Sequence, residues 1–134
     1  MTAVDTNVVV RILVGDDPKQ EASARALLAS GPIWIAKTVL LETHWVLRKL
    51  YGFDDQDIAA ALTNLLGLKN VHAEDVDSVA DALAFMQHGI DFADALHLSS
   101  RPPGAAFASF DRTFIARACR AGAPAVSIVD AARD

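Results

Sequence analysis

The chain has 134 residues, a mass of 14.3 kDa and a formal net charge of -5 at pH 7. This is the size of one ordinary domain, so we predict a single domain over residues 1–134. The acidic balance argues against broad, non-specific attraction to nucleic acid, but it is compatible with a local basic rim and with acids neutralised by a metal ion.

Charged residues interrupt every apolar stretch well before it reaches the roughly 18 residues of a membrane span. Asp5 also interrupts the apolar residues at the N-terminus, which therefore lack the pattern of a signal peptide. The single cysteine, Cys119, cannot form an intramolecular disulfide. We expect a cytoplasmic protein with no membrane contact.

In the first half of the chain, short apolar runs alternate with longer segments of helical period. The residues up to Val4 or Asp5 predict a strand. Residues 8–14 predict a short helix or turn, although their consecutive valines also suit a strand. Asp16-Asp17-Pro18 is typical of a helix start, and Ser30-Gly31 of its end. Next come a strand at 33–36, a helix capped by Thr38 and reaching Tyr51, a helix from Asp54 or Asp55 to near Gly67, and a weak strand at 71–73.

The second half predicts helices at 75–88, 92–99 and 112–120 and strands at 106–110 and 126–129. Five short strands with helical crossovers predict a three-layer α/β/α domain with a central, mainly parallel sheet. In such sheets, ligands bind beyond the carboxyl ends of the strands. Asp5 and Asp111 each follow a strand directly, so we expect them at the same edge.

Two further acids lie where an apolar residue would be more usual. Glu42 is one turn into a largely apolar helix, and Asp94 stands between two alanines. Four carboxylates converging on one point would raise each other's pKa and destabilise the fold. A divalent cation removes this repulsion, and oxygen ligands without cysteine favour Mg²⁺ or Mn²⁺ over zinc. Such ions activate water for phosphodiester hydrolysis.

Each acid taken singly also has a structural interpretation. Asp5 and Asp111 suit helix N-caps, and Glu42 suits an exposed helix position paired with a lysine. Asp94 is the hardest to explain in this way, because the helix around it is apolar on most sides. The coincidence of all four acids favours a functional site.

Four short motifs occur in order along the chain: "AVDTNVVVR", "LLET", "DFADALHL" and "FASFDRTF". Together they resemble the PIN-domain ribonucleases, and specifically the VapC-type toxins of bacterial toxin-antitoxin pairs, over essentially the full chain. The resemblance implies a metal-dependent endoribonuclease whose catalytic acids are Asp5, Glu42, Asp94 and Asp111. Asp5, Asp94 and Asp111 would hold the Mg²⁺ or Mn²⁺.

The resemblance also assigns residues beside the site. Asn7 matches the family's small polar companion to the first acid, and Thr6 and Ser109 match hydroxyl positions, the second of which is more often threonine. Asp91 lies three residues before Asp94, on the same helix face, and is either an outer ligand or a helix cap.

Three residues are candidates for RNA contact. Lys37 follows the second predicted strand, Arg112 follows Asp111, and His97 lies one turn after Asp94. Lys37 and Arg112 are each also explained as a solvated surface charge, and His97 would touch either the substrate or an outer-shell water.

Two partners are implied by the resemblance: a cognate VapB-type antitoxin, packed along a groove beside the active site, and a second copy in a homodimer. Residues 8–13 and 54–66 are candidate surfaces for the antitoxin. The alternative function is a catalytically inactive PIN-fold module that binds RNA or an antitoxin. The presence of all four acids makes this alternative less favoured.

Overall fold

The structure is a computed structural model and describes residues 1–130, so the last four residues of the predicted domain lie outside it. The described chain contains the helices Thr6–Leu13 (α1), Pro18–Ser30 (α2), Lys37–Lys49 (α3), Asp55–Leu66 (α4), Val76–Met86 (α5), Phe92–Ser99 (α6) and Arg112–Arg120 (α7). Its strands are Thr2–Ala3 (β1), Ile33–Ile35 (β2), Val71–Ala73 (β3), Phe107–Ser109 (β4) and Val126–Ile128 (β5). The predicted α/β/α class with short parallel strands is confirmed. None of these helices is long and apolar enough to cross a membrane.

The chain divides into two compact units, the first Met1–Val79 and the second beginning at Ala80. In the first unit, β2 lies between β1 and β3 and pairs in parallel with both, with Ile33 opposite Thr2 on one side and Val71 on the other. In the second unit, β4 and β5 pair in parallel. The described strands therefore form one ladder of three and one of two.

Helix α1 forms although its sequence contains three consecutive valines. Val9, Val10 and Ile12 are buried on one face, and burying a side chain of this size contributes about 1.5–3 kcal/mol. The lower helix propensity of valine costs less than about 0.7 kcal/mol per residue, so burial decides the outcome. The helix begins at Thr6, two residues before the predicted start, because Asp5 caps it.

The prediction that Thr38 caps α3 is wrong. The N-cap residue is Ala36, which has no side-chain acceptor, and the helix begins at Lys37. The carboxylate of Glu74 instead accepts a hydrogen bond of 2.9 Å from the Lys37 backbone amide. Glu74 is held there because its own amide donates to the carbonyl oxygen of Ile35, at 2.9 Å. Glu74, just after β3, thus supplies the capping acceptor that the N-cap residue Ala36 lacks.

In the second unit, the phenyl rings of Phe107 on β4 and Phe114 on α7 pack edge to face, with centroids 5.6 Å apart. Arg117 on α7 donates a hydrogen bond of 2.8 Å to the carbonyl oxygen of Gly89. Gly89 has a φ of +78°, a conformation that favours glycine, and it lies three residues before the start of α6. These contacts fix α7 against β4 and against the turn that leads into α6.

Candidate functional site

Asp5 and Asp111 each cap a helix. An oxygen of Asp5 accepts from the Val8 amide at 3.3 Å, and an oxygen of Asp111 accepts from the Phe114 amide at 2.9 Å. Both carboxylates are exposed. The structural interpretation of these acids is therefore confirmed, but it leaves their predicted role open because a carboxylate can cap a helix and bind a metal through different oxygens.

Two acids of the second unit lie within electrostatic reach of Asp94. Asp91 caps α6 by accepting from the Ala93 amide at 3.2 Å, and Asp94 follows in the first turn of the same helix. Partial burial, and next the negative charges of Asp91 and Asp111, raise the pKa of Asp94, while His97 opposes the shift. We call Asp91, Asp94 and Asp111 the acidic cluster. A bound cation would relieve the repulsion between the negative charges of these carboxylates.

The donor chemistry of this cluster fits a hard divalent cation, since all its ligand atoms are carboxylate oxygens. The carboxylates of the cluster are not spaced as a complete metal site. Within residues 1–130, no three His, Cys, Asp or Glu side chains form a group that could hold a metal ion. The charges of Asp91 and Asp111 act on Asp94. The assignment of Asp5, Asp94 and Asp111 as metal ligands stays a prediction.

Glu42 and Asp5 belong to the first unit. Glu42 is exposed on α3, and Asp5 precedes α1, which packs against α3. The neighbouring Thr43 is fully buried and donates to the Val39 carbonyl oxygen at 2.7 Å. The buried side of α3 therefore turns Glu42 towards the surface.

The residues predicted beside the site have different surroundings. Thr6 is buried at the start of α1, whereas Asn7 is exposed. Ser109 is half-buried, and its hydroxyl oxygen accepts a hydrogen bond of 3.0 Å from the Asp111 amide. The serine hydroxyl thus orients the backbone of Asp111, a role that threonine would equally serve.

The three candidates for RNA contact also differ. The ammonium group of Lys37 lies 2.8 Å from a carboxylate oxygen of Asp75, so this lysine is part of an ion pair. Arg112 lies 3.3 Å from Asp130, but both side chains are largely exposed and such pairs contribute little. His97 is exposed in the last turn of α6. Arg112 and His97 are therefore the better placed of the three to meet a substrate.

Two clefts flank α1, and the sequence did not predict the one between α1 and α2. The α1/α2 cleft, of about 470 Å³, begins at Asn7 and runs between the two helices. The α1/α4 cleft, of about 180 Å³, is lined mainly by apolar side chains, among them Leu13, Phe53 and Ile58, with Asp57 at its side. Asn7 and the apolar residues at the end of α1 can be identified in the sequence. Which helices face them depends on tertiary packing, so the sequence does not show the clefts.

A comparison with protein-family models found a match to the model described as PIN domain, covering residues 2–119. A comparison with curated proteins found no match. The matched residues include all four predicted catalytic acids and the whole acidic cluster.

Proposed function

The chain belongs to the PIN-domain family, whose fold is generally that of a metal-dependent nuclease, and from this premise we propose that it is an endoribonuclease toxin of a toxin-antitoxin pair. The observation that carries the proposal is the acidic cluster, in which partial burial, and next the charges of Asp91 and Asp111, raise the pKa of Asp94. Repelling carboxylates in a PIN domain are typical of a site completed by Mg²⁺ or Mn²⁺.

Asp5, Asp94 and Asp111 would hold the metal ion, which supplies an activated water and stabilises the leaving oxygen of the RNA phosphodiester. Glu42, exposed on α3, would accept a proton from the attacking water. Asp91 holds the first turn of α6 and adds negative charge beside Asp94. Ser109 fixes the backbone of Asp111 from the preceding strand.

We also propose that residues 1–134 act as one PIN domain. The family match runs without interruption across the boundary between the two compact units, at Val79 and Ala80. This continuity supports treating the units as parts of one functional domain.

For the antitoxin, we propose the α1/α4 cleft. Its apolar lining suits the apolar face of a peptide helix, and Asp57 offers a negative charge to a basic side chain of the partner. Both predicted contact surfaces, 8–13 and 54–66, contribute residues to this cleft.

A homodimer is the second proposed assembly. Several large apolar side chains of the first unit are exposed and would be covered by a partner: Trp45 is 53% exposed and Leu50 is 68% exposed. Light scattering at several protein concentrations would measure the mass, and a monomer at all of them would contradict this proposal.

The test of function is RNA cleavage by the purified protein with Mg²⁺, with Mn²⁺ and with a chelator. We expect cleavage only with metal, and a loss of about 100-fold or more in Asp5→Asn and in Asp94→Asn. Asp81→Asn, an exposed acid on α5 outside the predicted site, is the matched control and should cleave normally. Cleavage that persists in chelator contradicts the metal role. RNA binding without any cleavage would instead support the inactive module.

A further inference from the structure

The geometry points to a nucleotide-binding subsite in the α1/α2 cleft, which would take one base of the RNA substrate next to the cleavage position. The inference rests on the proposed function and assigns a substrate contact to a surface outside the predicted catalytic residues. All residues of this cleft belong to the first unit.

The floor of the cleft is apolar. Val8 on α1 and Ala24 and Leu27 on α2 line it, and Ala24 is only 7% exposed. A small residue at this position lets the two helices form a cleft of about 470 Å³, within the range of roughly 300–1,000 Å³ found for small-molecule sites. The faces of a nucleobase are apolar and flat, so such a floor favours a base over a charged or extended group.

The rim carries groups that read the polar edge of a base. The amide of Asn7 and the hydroxyl of Ser23 both donate and accept hydrogen bonds, and both residues are exposed. Unpaired bases in RNA are recognised through such side chains at their hydrogen-bonding edges. Lys19, also exposed at the rim, adds a positive charge for a phosphate.

One wall of the cleft is held rigidly. The guanidinium of Arg11 donates to Gln20 at 2.7 Å, to Asp16 at 2.7 Å and to the Tyr51 hydroxyl at 3.0 Å. The charge of Arg11 is thus compensated, and its planar group serves as a fixed wall. A pre-formed wall lowers the entropy cost of binding a ligand.

The position of the cleft links it to the proposed reaction. Asp5 is the N-cap residue of α1, and Asn7 is the second residue of this helix. The cleft therefore begins at the N-terminal end of the helix that a proposed metal ligand caps. The α1/α4 cleft at the other end of α1 is smaller and mainly apolar, which fits the antitoxin better than a nucleotide.

The experiment is an NMR titration of the metal-free protein with RNA trinucleotides of adenosine, cytidine, guanosine or uridine. Without metal the RNA is not cleaved, so the readout is binding alone. We expect backbone amide shifts at Lys19, Gln20 and Ser23, with different affinities for the four bases. Ser23→Trp would fill the cleft and weaken binding at least about tenfold. Ala26→Trp, which adds the same ring to an exposed position of α2 outside the cleft, should bind like the wild type.

The proposal is wrong if the trinucleotides shift only amides outside the cleft, or if Ser23→Trp and Ala26→Trp bind them equally well. It is also wrong if an antitoxin peptide, and no trinucleotide, shifts the cleft amides. Failure of the wild type to cleave RNA with Mn²⁺ would contradict the proposed function, whereas the titration decides the cleft by itself.

Discussion

The backbone amide of Lys37 is capped by the side chain of Glu74, which lies 37 residues further along the chain. The same lysine pairs through its ammonium group with Asp75. Two consecutive acids after β3 therefore hold the first turn of α3, the helix that carries Glu42. The N-terminus of this helix is satisfied by a tertiary contact, where most helices use a neighbouring residue.

Replacing the tertiary cap should cost stability. Glu74→Ala removes the acceptor for the Lys37 amide, and loss of a helix cap typically costs about 1 kcal/mol. Glu74→Gln keeps an oxygen acceptor and should cost less. Thr38→Ala is the matched control, because the structure gives Thr38 no capping role and places it exposed inside the helix. Urea denaturation would measure all three, and a larger loss in Thr38→Ala than in Glu74→Ala would contradict the assignment.

The Lys37–Asp75 pair predicts a pH dependence of stability. Hydrogen bonding from Lys37, and then from Ser78, holds the pKa of Asp75 below its usual value. An acid with a lowered folded pKa stabilises the fold above its unfolded pKa, and this stabilisation is lost as pH falls through the folded pKa. Asp75→Asn removes the charge, and asparagine tolerates the φ of +49° at this position.

The difference in stability between the wild type and Asp75→Asn should therefore be constant near neutral pH and shrink below about pH 4. Urea midpoints across a pH series would measure it. A difference that stays the same into strong acid would mean that the charge of Asp75 has no part in the stabilisation.

For Asp94 we expect a pH dependence of stability with the opposite sign to that of Asp75. Burial and the charges of Asp91 and Asp111 raise the pKa of Asp94, so the metal-free protein loses stability as pH rises from the unfolded pKa through the folded one. Asp94→Asn should abolish this slope and be at least as stable as the wild type at neutral pH. Asp81→Asn is the control for losing one negative charge and should keep the slope.

Addition of Mn²⁺ should raise the Tm of the wild type and raise it less in Asp94→Asn. A ligand at 100 times its Kd stabilises the folded state by about 2.7 kcal/mol, which thermal unfolding detects readily. A strong loss of stability in Asp94→Asn, with no response of the wild type to Mn²⁺, would identify Asp94 as a structural residue.

Blocking the α1/α4 cleft should prevent neutralisation by the proposed antitoxin. Ala61 lines this cleft and is half-buried, so Ala61→Glu would place a charge against the apolar lining. Ala60→Glu adds the same charge to an exposed neighbour on α4 and is the control. Co-expression with the antitoxin would measure growth rescue. Equal rescue of both variants would show that the antitoxin binds elsewhere.

Local signals predicted several elements well. Helix α2 begins after Asp17 with Pro18 in its first turn and ends before Gly31, and α7 spans 112–120, as the sequence indicates. In both helices, capping side chains bond to amides three residues away, so the information lies within one turn of the chain. The sequence also placed Asp91 at a helix cap, one of its two predicted roles.

The residues of the candidate site stay a prediction, and their arrangement could not be derived from the sequence. The sequence indicated that neighbouring carboxylates would raise each other's pKa, and burial together with the charges of Asp91 and Asp111 raises that of Asp94. The ion pair of Lys37 and the α1/α2 cleft depend on which elements pack together. Lys37 and Asp75 are 38 positions apart, and no local pattern encodes such a contact.

By itself, the sequence determined the α/β class, most helix ends and the set of acids, because periodicity, caps and side-chain chemistry are properties of short segments. Only the tertiary structure decided that Glu74 caps α3 and that a cleft begins at Asn7. The physical reason is that a hydrogen bond or a cleft wall requires two surfaces to meet, and the packing of buried side chains such as Val9, Ile33 and Leu40 sets where they do.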